Sequence, residues 1–142
     1  MTDDAAAYRR VPEEMINERK LELIEELFAE DYVEHAFEGA PEFPHTREGV
    51  RMFFEHLLSA FPDFRFEVVQ QHQDGDMHIG WVRGTGTMKG DFMGMPASGQ
   101  TATWDEVHFG RVVNGRIQEH WAVIDQLSML RQLGFIPEPG GG

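Results

Sequence analysis

The sequence predicts an α+β domain, with helices in its first part, antiparallel strands after them, and the helices packed on one face of a curved sheet. Three observations predict it. Residues 11–29 are rich in Glu, Leu, Ile and Met, all good helix formers. Beyond Pro62 the pattern changes to strand-like alternation, as in FRFEVVQQH. Asn114-Gly115 then separates two further strand-like runs and is the strongest short hairpin signal in the chain. The 142 residues suit one domain, taken as 1–136, followed by a flexible tail over 137–142 whose residues, PEPGGG, have nothing to bury.

Taken in order, Ile16, Leu23, Ile24, Leu27 and Phe28 form a helical stripe between Val11 and Ala29, with Asn17 as a point where the stretch can break. Glu13, Glu14, Glu22, Glu25 and Glu26 read as the solvated face of that stretch. Tyr32, Val33, His35 and Phe37 leave the helix, and Glu38 to His45 reads as loop because it carries Gly39, Pro41 and Pro44. Thr46 is an N-cap candidate for a helix whose stripe is Val50, Phe53, Phe54, Leu57 and Leu58, stopped by Pro62. Strands follow over 64–72 and 78–88, joined by the turn DGD. KGDFMGMPASGQ is a long loop, TATWDEVHFGRVV and RIQEHWAVID flank Asn114-Gly115, and QLSMLRQLG is a short helix ending on Gly134. There is no internal repeat.

Basic residues number 12 and acidic residues 25, a net charge of −13. A field of that sign repels phosphate backbones and anionic lipid, so nucleic acid and membrane are not expected partners. The chain has no cysteine, which removes thiolate catalysis, disulfides and cysteine-ligated zinc. No apolar run is long enough to span a membrane and MTDDAAAYRR lacks a signal-peptide core, so a soluble, cytoplasmic protein is expected. No phosphate-binding loop, dinucleotide fingerprint or nucleophile elbow appears.

The hairpin register decides which side chains share a surface. With Asn114-Gly115 as a two-residue turn, Val113 opposes Arg116 and His108 opposes Trp121. With a three-residue turn closed by a glycine bulge, Val112 opposes Arg116 and His108 opposes His120. The second register sorts residues more cleanly. It places Trp104, Glu106, His108, His120, Ala122 and Ile124 on one face, and Val107, Phe109, Ile117, Trp121 and Val123 on the other. Asp125 joins the histidines only if the strand ends or bulges there.

Histidine titrates near neutrality, and a neighbouring carboxylate orients its ring, so this face suits proton transfer beside a carbonyl or hydroxyl. Each histidine has a structural reading too: His72 and His78 flank a turn and read as solvated, and His45 and His56 have no evident partner. Three histidines can bind a metal, but no HExxH or closely spaced ligand pair supports one, and none is expected. Met88, Met93 and Met95 are either an adaptable pocket rim or loop residues packed on the fold.

DYVEH, the FPD at Phe61 to Asp63, GDFMGMPASGQ, RVVNGRIQEHW, Asp125 and the RQLG at Arg131 to Gly134 together resemble the SnoaL-like polyketide cyclase family, over roughly Asn17 to Gly134. The resemblance implies the cone-shaped α+β barrel of the nuclear transport factor 2 superfamily, a pocket between helices and sheet, a homodimer or homotetramer, and no cofactor. It also implies intramolecular aldol ring closure by acid–base chemistry. His108 and His120 fall on the family's strand histidines, whereas the position of its key aspartate is Ala122, and Glu34 replaces a polar residue in DYVEH. The expected catalytic set is therefore His35, His120 and Asp125 with His108. Trp104, Glu106, Trp121, Met93, Met95, Phe92 and Phe61 are the candidate substrate-binding residues. The leading expectation is a cyclase, isomerase or dehydratase acting on a small apolar carbonyl compound. Its rivals are a hydrolase using a carboxylate–histidine pair and a non-catalytic ligand-binding or oligomerisation module.

Overall fold

The computed structural model of the protein describes residues 2–37 and 40–137. The expected flexible tail, apart from Pro137, lies outside the described residues. Helix α1 (Asp3–Arg10) begins ahead of the expected helical stretch: the Thr2 hydroxyl accepts from the Ala5 amide at 3.0 Å, with Asp3 and Asp4 in the first turn and Arg9 and Arg10 in the last. It runs directly into a wider π-helical turn, Val11–Ile16, which carries Pro12. The break comes at Asn17, whose side-chain amide exchanges two 2.8 Å hydrogen bonds with the Phe66 backbone and so stands in for a strand neighbour. A 3₁₀ turn (Leu21–Leu23) and the short α2 (Ile24–Leu27) follow. The helix does not extend to Ala29. Phe28–Glu34 is strand β1, where Phe28, Tyr32 and Glu34 are buried and Val33 is exposed.

Helix α3 (Arg47–Ala60) is capped by Thr46, which accepts from the Gly49 amide at 3.3 Å. A Cβ on Gly49 would lie 1.7 Å from the Pro44 carbonyl oxygen, so the preceding loop can cross the helix only over a glycine. Four more strands follow: β2 (Arg65–Asp74), β3 (Met77–Thr87), β4 (Thr101–Val113) and β5 (Arg116–Ile124). The sheet order is β1-β5-β4-β3-β2, antiparallel throughout except for the parallel β1–β5 pair. Helix α4 (Gln126–Leu133) ends on Gly134 at φ 94, as expected.

Neither hairpin register read from the sequence is the one adopted. Asn114 (φ 53) and Gly115 (φ 78) do form a two-residue turn, so Val113 opposes Arg116. The register then shifts: Val112 pairs with Ile117, Arg111 with Glu119, and Gln118 is left over as a bulge on β5. Beyond it His120 faces Gly110 and Ala122 faces His108. The bulge restores the parity of the second alternative, so both histidines share a face with Trp104, Glu106, Ala122 and Ile124. It also corrects Ile117, which turns inward and is buried.

The concave inner face holds the core, built round edge-to-face rings of Phe61, Phe64, Phe66, Phe92 and Trp104 beneath α3. Glycines in β3 stand opposite the bulky inner residues of β4, Gly84 facing Trp104 and Gly80 facing His108. His78 corrects the sequence reading: it is fully buried, 5.7 Å from the Tyr8 ring, and its ring nitrogens have no partner among the described residues. No helix among the described residues is long and apolar enough to cross a membrane.

Candidate active site

Three strands place one unbroken row of hydrogen bonds on the inner face. On β1, alternation points Tyr32 and Glu34 inward, and the parallel register sets Glu34 beside His120. The Tyr32 hydroxyl donates to Glu34 Oε1 at 2.6 Å, and the Ala36 amide donates to Oε2 at 3.0 Å. His120 Nδ1 lies 2.6 Å from that same Oε2, and His120 Nε2 lies 2.7 Å from His108 Nδ1. His108 Nε2 is 2.7 Å from Glu106 Oε1, and Trp104 Nε1–H donates to Glu106 Oε2 at 2.7 Å. The two imidazoles sit between two buried carboxylates, and each carboxylate is held by an aromatic donor.

The contacts fix a proton count. Glu34–His120, His120–His108 and His108–Glu106 each need one proton between their heavy atoms, whereas two neutral imidazoles supply two. A third proton therefore resides in the row. Burial lowers His120, against the raising effect of Glu34. Burial pushes Glu34 up, but the hydrogen bonds from His120, Tyr32 and Ala36 outweigh it and hold the carboxyl below its ordinary value. An ionised Glu34 beside a neutral His120 with its proton on Nδ1 leaves His120 Nε2 as an acceptor. His108 then donates from Nδ1.

The row borders a cavity of about 70 Å³ walled by apolar side chains, among them Val11, Pro12, Phe28, Phe54 and Val82, with Glu34, His108 and His120 in its lining. The rings are the reachable part: the His108 and His120 side chains keep 20% and 17% exposure, against 9% and 3% for Glu106 and Glu34.

Among the sequence candidates, the structure brings His108, His120, Glu106 and Trp104 together, although Trp104 and Glu106 stand behind the histidines and do not line the cavity. His35 does not join them. It points to the outer face, stacked on Trp121 at 4.8 Å with Nε2 2.9 Å from Glu119. Asp125 does not turn inward: it is exposed and caps α4, accepting from the Ser128 amide at 3.1 Å. Phe61 and Phe92 belong to the ring core, while Met93 borders a separate shallow hollow with Phe43 and His56, and Met95 packs on the core. His56 acquires a partner there, accepting from the Met93 amide at 3.1 Å and stacking on Phe92. Sequence reading missed Glu34 and Tyr32 as members of the row. Their signal is parity, since they alternate with Val33 and His35 in DYVEH.

The described residues form an α+β fold whose concave sheet face carries a hydrogen-bonded row of histidines and carboxylates beside an apolar cavity. The chain belongs to the SnoaL-like polyketide cyclase family, whose model matches residues 6–133. It is similar to the crystal structure of IdmH from Streptomyces antibioticus, a candidate polyketide cyclase, at 32% identity and a TM-score of 0.81, covering 94% of this chain and 99% of that one. AclR from Streptomyces galilaeus, a candidate hydroxylase, is 29% identical with a TM-score of 0.76 over 94% and 99% of the two chains. The aklanonic acid methyl ester cyclase DnrD of Streptomyces peucetius is 38% identical over 58 residues, which are 38% of this chain and 40% of that protein. The match thus spans less than half of that curated relative.

Proposed function

We propose that the protein is an acid–base cyclase, closing a ring in an apolar carbonyl-bearing substrate by intramolecular aldol addition. The observation that carries this reading is the 2.7 Å contact between His108 and His120, each backed by a carboxylate. At rest all four ring nitrogens are engaged. A substrate that parts the two rings frees the lone pair on His120 Nε2 and the proton on His108 Nδ1, a base and an acid side by side. His120, oriented by Glu34, takes a proton from the carbon next to one carbonyl. The resulting enolate forms a carbon–carbon bond to the second carbonyl, whose oxygen receives the His108 proton. Atoms balance without a co-reactant, and the product is an isomer of the substrate. Glu34 supplies from β1 the carboxylate that the family resemblance places at Ala122, while Glu106 and Trp104 position His108.

The name of DnrD supplies the first substrate to try. Incubation with aklanonic acid methyl ester should give a ring-closed product of unchanged mass. His120→Gln and His108→Gln, which keep a donor for the neighbouring carboxylate, should each slow it by about 10²–10⁴-fold. Full rates in both variants would overturn the reading, and a product heavier by one water would identify hydrolysis instead. We further propose that the outer sheet face, where Phe109, Trp121 and the 68%-exposed Val123 lie, supports self-association. Light scattering on the native protein and on Val123→Lys tests this, with a monomeric native protein as the contrary result.

A further inference from the structure

The cavity beside the histidine row has in its lining a further polar side chain that the row does not use. Tyr8 projects from α1 into the same cavity as Glu34, His108 and His120. Only 7% of the residue is exposed, and its hydroxyl has no hydrogen-bond partner among the described residues. Buried hydroxyls are nearly always paired, so an unpaired one on a residue that lines a cavity calls for a ligand atom.

The ring is held in a cradle built for it. A Cβ on Gly110 would fall 2.5 Å from Tyr8 Cε1, and one on Gly80 would fall 3.5 Å from Cε2. Those glycines lie on β4 and β3, Gly80 directly opposite His108 and Gly110 directly opposite His120. The cradle under Tyr8 and the catalytic row are thus adjacent positions of the same strands, which fixes the hydroxyl relative to the imidazoles. Burial, helped by the Glu34 charge, pushes the phenol well above its ordinary range, so it is present as a donor at any working pH.

Resting on the acid–base reading above, we infer that Tyr8 is a further catalytic residue, donating a hydrogen bond to the carbonyl oxygen of the substrate as that oxygen gains negative charge on enolisation. The site therefore selects ligands that present a ketone oxygen on an apolar frame, with the oxygen towards α1 and the adjacent carbon towards His120. A donor at that oxygen is worth most when charge develops there, because most of the surrounding wall is apolar.

The test uses acetophenone and α-methylstyrene, the same frame with CH₂ in place of oxygen, titrated into the isotope-labelled whole chain by amide NMR. The native protein should bind the ketone roughly tenfold more tightly than the alkene, and Tyr8→Phe should bring the ratio to about one while retaining alkene affinity. Tyr8→Phe should also melt no lower than the native protein, since it removes a hydroxyl without a partner. An unchanged ratio in Tyr8→Phe, the absence of any ketone preference in the native protein, or no binding of either probe overturns the inference. Exchange of the acetophenone methyl protons in D₂O separates the two readings. Exchange lost in His120→Gln, with a ratio indifferent to Tyr8→Phe, leaves the acid–base row standing without Tyr8. A Tyr8-dependent ratio with no exchange in the native protein leaves the oxygen site standing without the row.

Discussion

Two histidine–glutamate pairs are built from the same four neighbouring residues. On β1 and β5, Glu34 meets His120 at 2.6 Å on the inner face, and His35 meets Glu119 at 2.9 Å on the outer face. The side chains are of the same types and the spacing is nearly equal, yet the surroundings differ. Glu34 is buried and takes two further donors, and His120 passes its other nitrogen to a second histidine. Glu119 keeps 34% of its side chain exposed and shares its charge with Arg111, while His35 stacks on Trp121. Solvent screens the outer pair, leaving it worth about 0–1 kcal/mol. The inner pair is largely withdrawn from water, with the His120 ring its one reachable part, so its proton is poised to move to a protein atom or to a substrate at that ring.

The largest expected effect breaks the inner pair. His120→Gln can still donate to Glu34, so the buried carboxylate keeps a partner, but it offers no base. Ring closure should slow by about 10²–10⁴-fold with little change in the folded state, read from turnover beside a far-ultraviolet spectrum. A variant that folds and turns over at the native rate would show that the inner pair is structural.

Acid should unbalance the inner pair next. Glu34 is held below its ordinary value, so its contribution to stability is present above its unfolded value near ~4.3 and lost as pH falls through the folded one. His120 is also lowered: below its unfolded value of about 6.5 the unfolded chain takes up a proton that the folded chain refuses, again costing stability on acidification. The two signs agree. Melting temperature should fall from pH 7 towards pH 4 through His120 and fall further below about pH 4 through Glu34, and Glu34→Gln, lacking the carboxylate, should lose the second part of that fall. A melting temperature independent of pH over that window contradicts the coupling.

What sequence could show of this comparison follows from its physics. Helix α3, the strands β2 to β5 and the Gly134 cap are local patterns, so propensity, alternation and turn chemistry reveal them. The Gln118 bulge is not local: it leaves the two-residue turn intact, shifts every later pairing, and turns Ile117 inward. Strand β1 was hidden because Phe28–Glu34 follows a helix directly and finds its partner at the far end of the chain. His108 and His120 could be paired by parity within one hairpin. Glu34 could not be placed beside His120 without the β1–β5 register, and so His35 and Asp125 stood in for it.

Asp125 sets a smaller expectation. As the N-cap of α4 its side chain accepts from the Ser128 amide, and its own amide donates to the Asp105 carbonyl at 3.0 Å. Asp125→Ala should lower stability by about 1 kcal/mol in denaturant titration and leave turnover unchanged. A loss of turnover on the scale of His120→Gln would return Asp125 to the site.

The smallest effect belongs to the outer pair and is the sharpest check on the comparison. His35→Ala removes an imidazole from the outer face but leaves the His35 backbone amide to donate to the His120 carbonyl at 2.9 Å, so β1 stays docked and Glu34 stays in register. Glu119 keeps Arg111 as a partner and enough solvent to remain ionised. Turnover should stay within about twofold of native and stability within about 0.5 kcal/mol. If His35→Ala instead slowed ring closure as much as His120→Gln, burial would not be what separates the two pairs. The outer pair would then have to reach the reaction through a subunit contact on the Trp121 face, and turnover would depend on protein concentration.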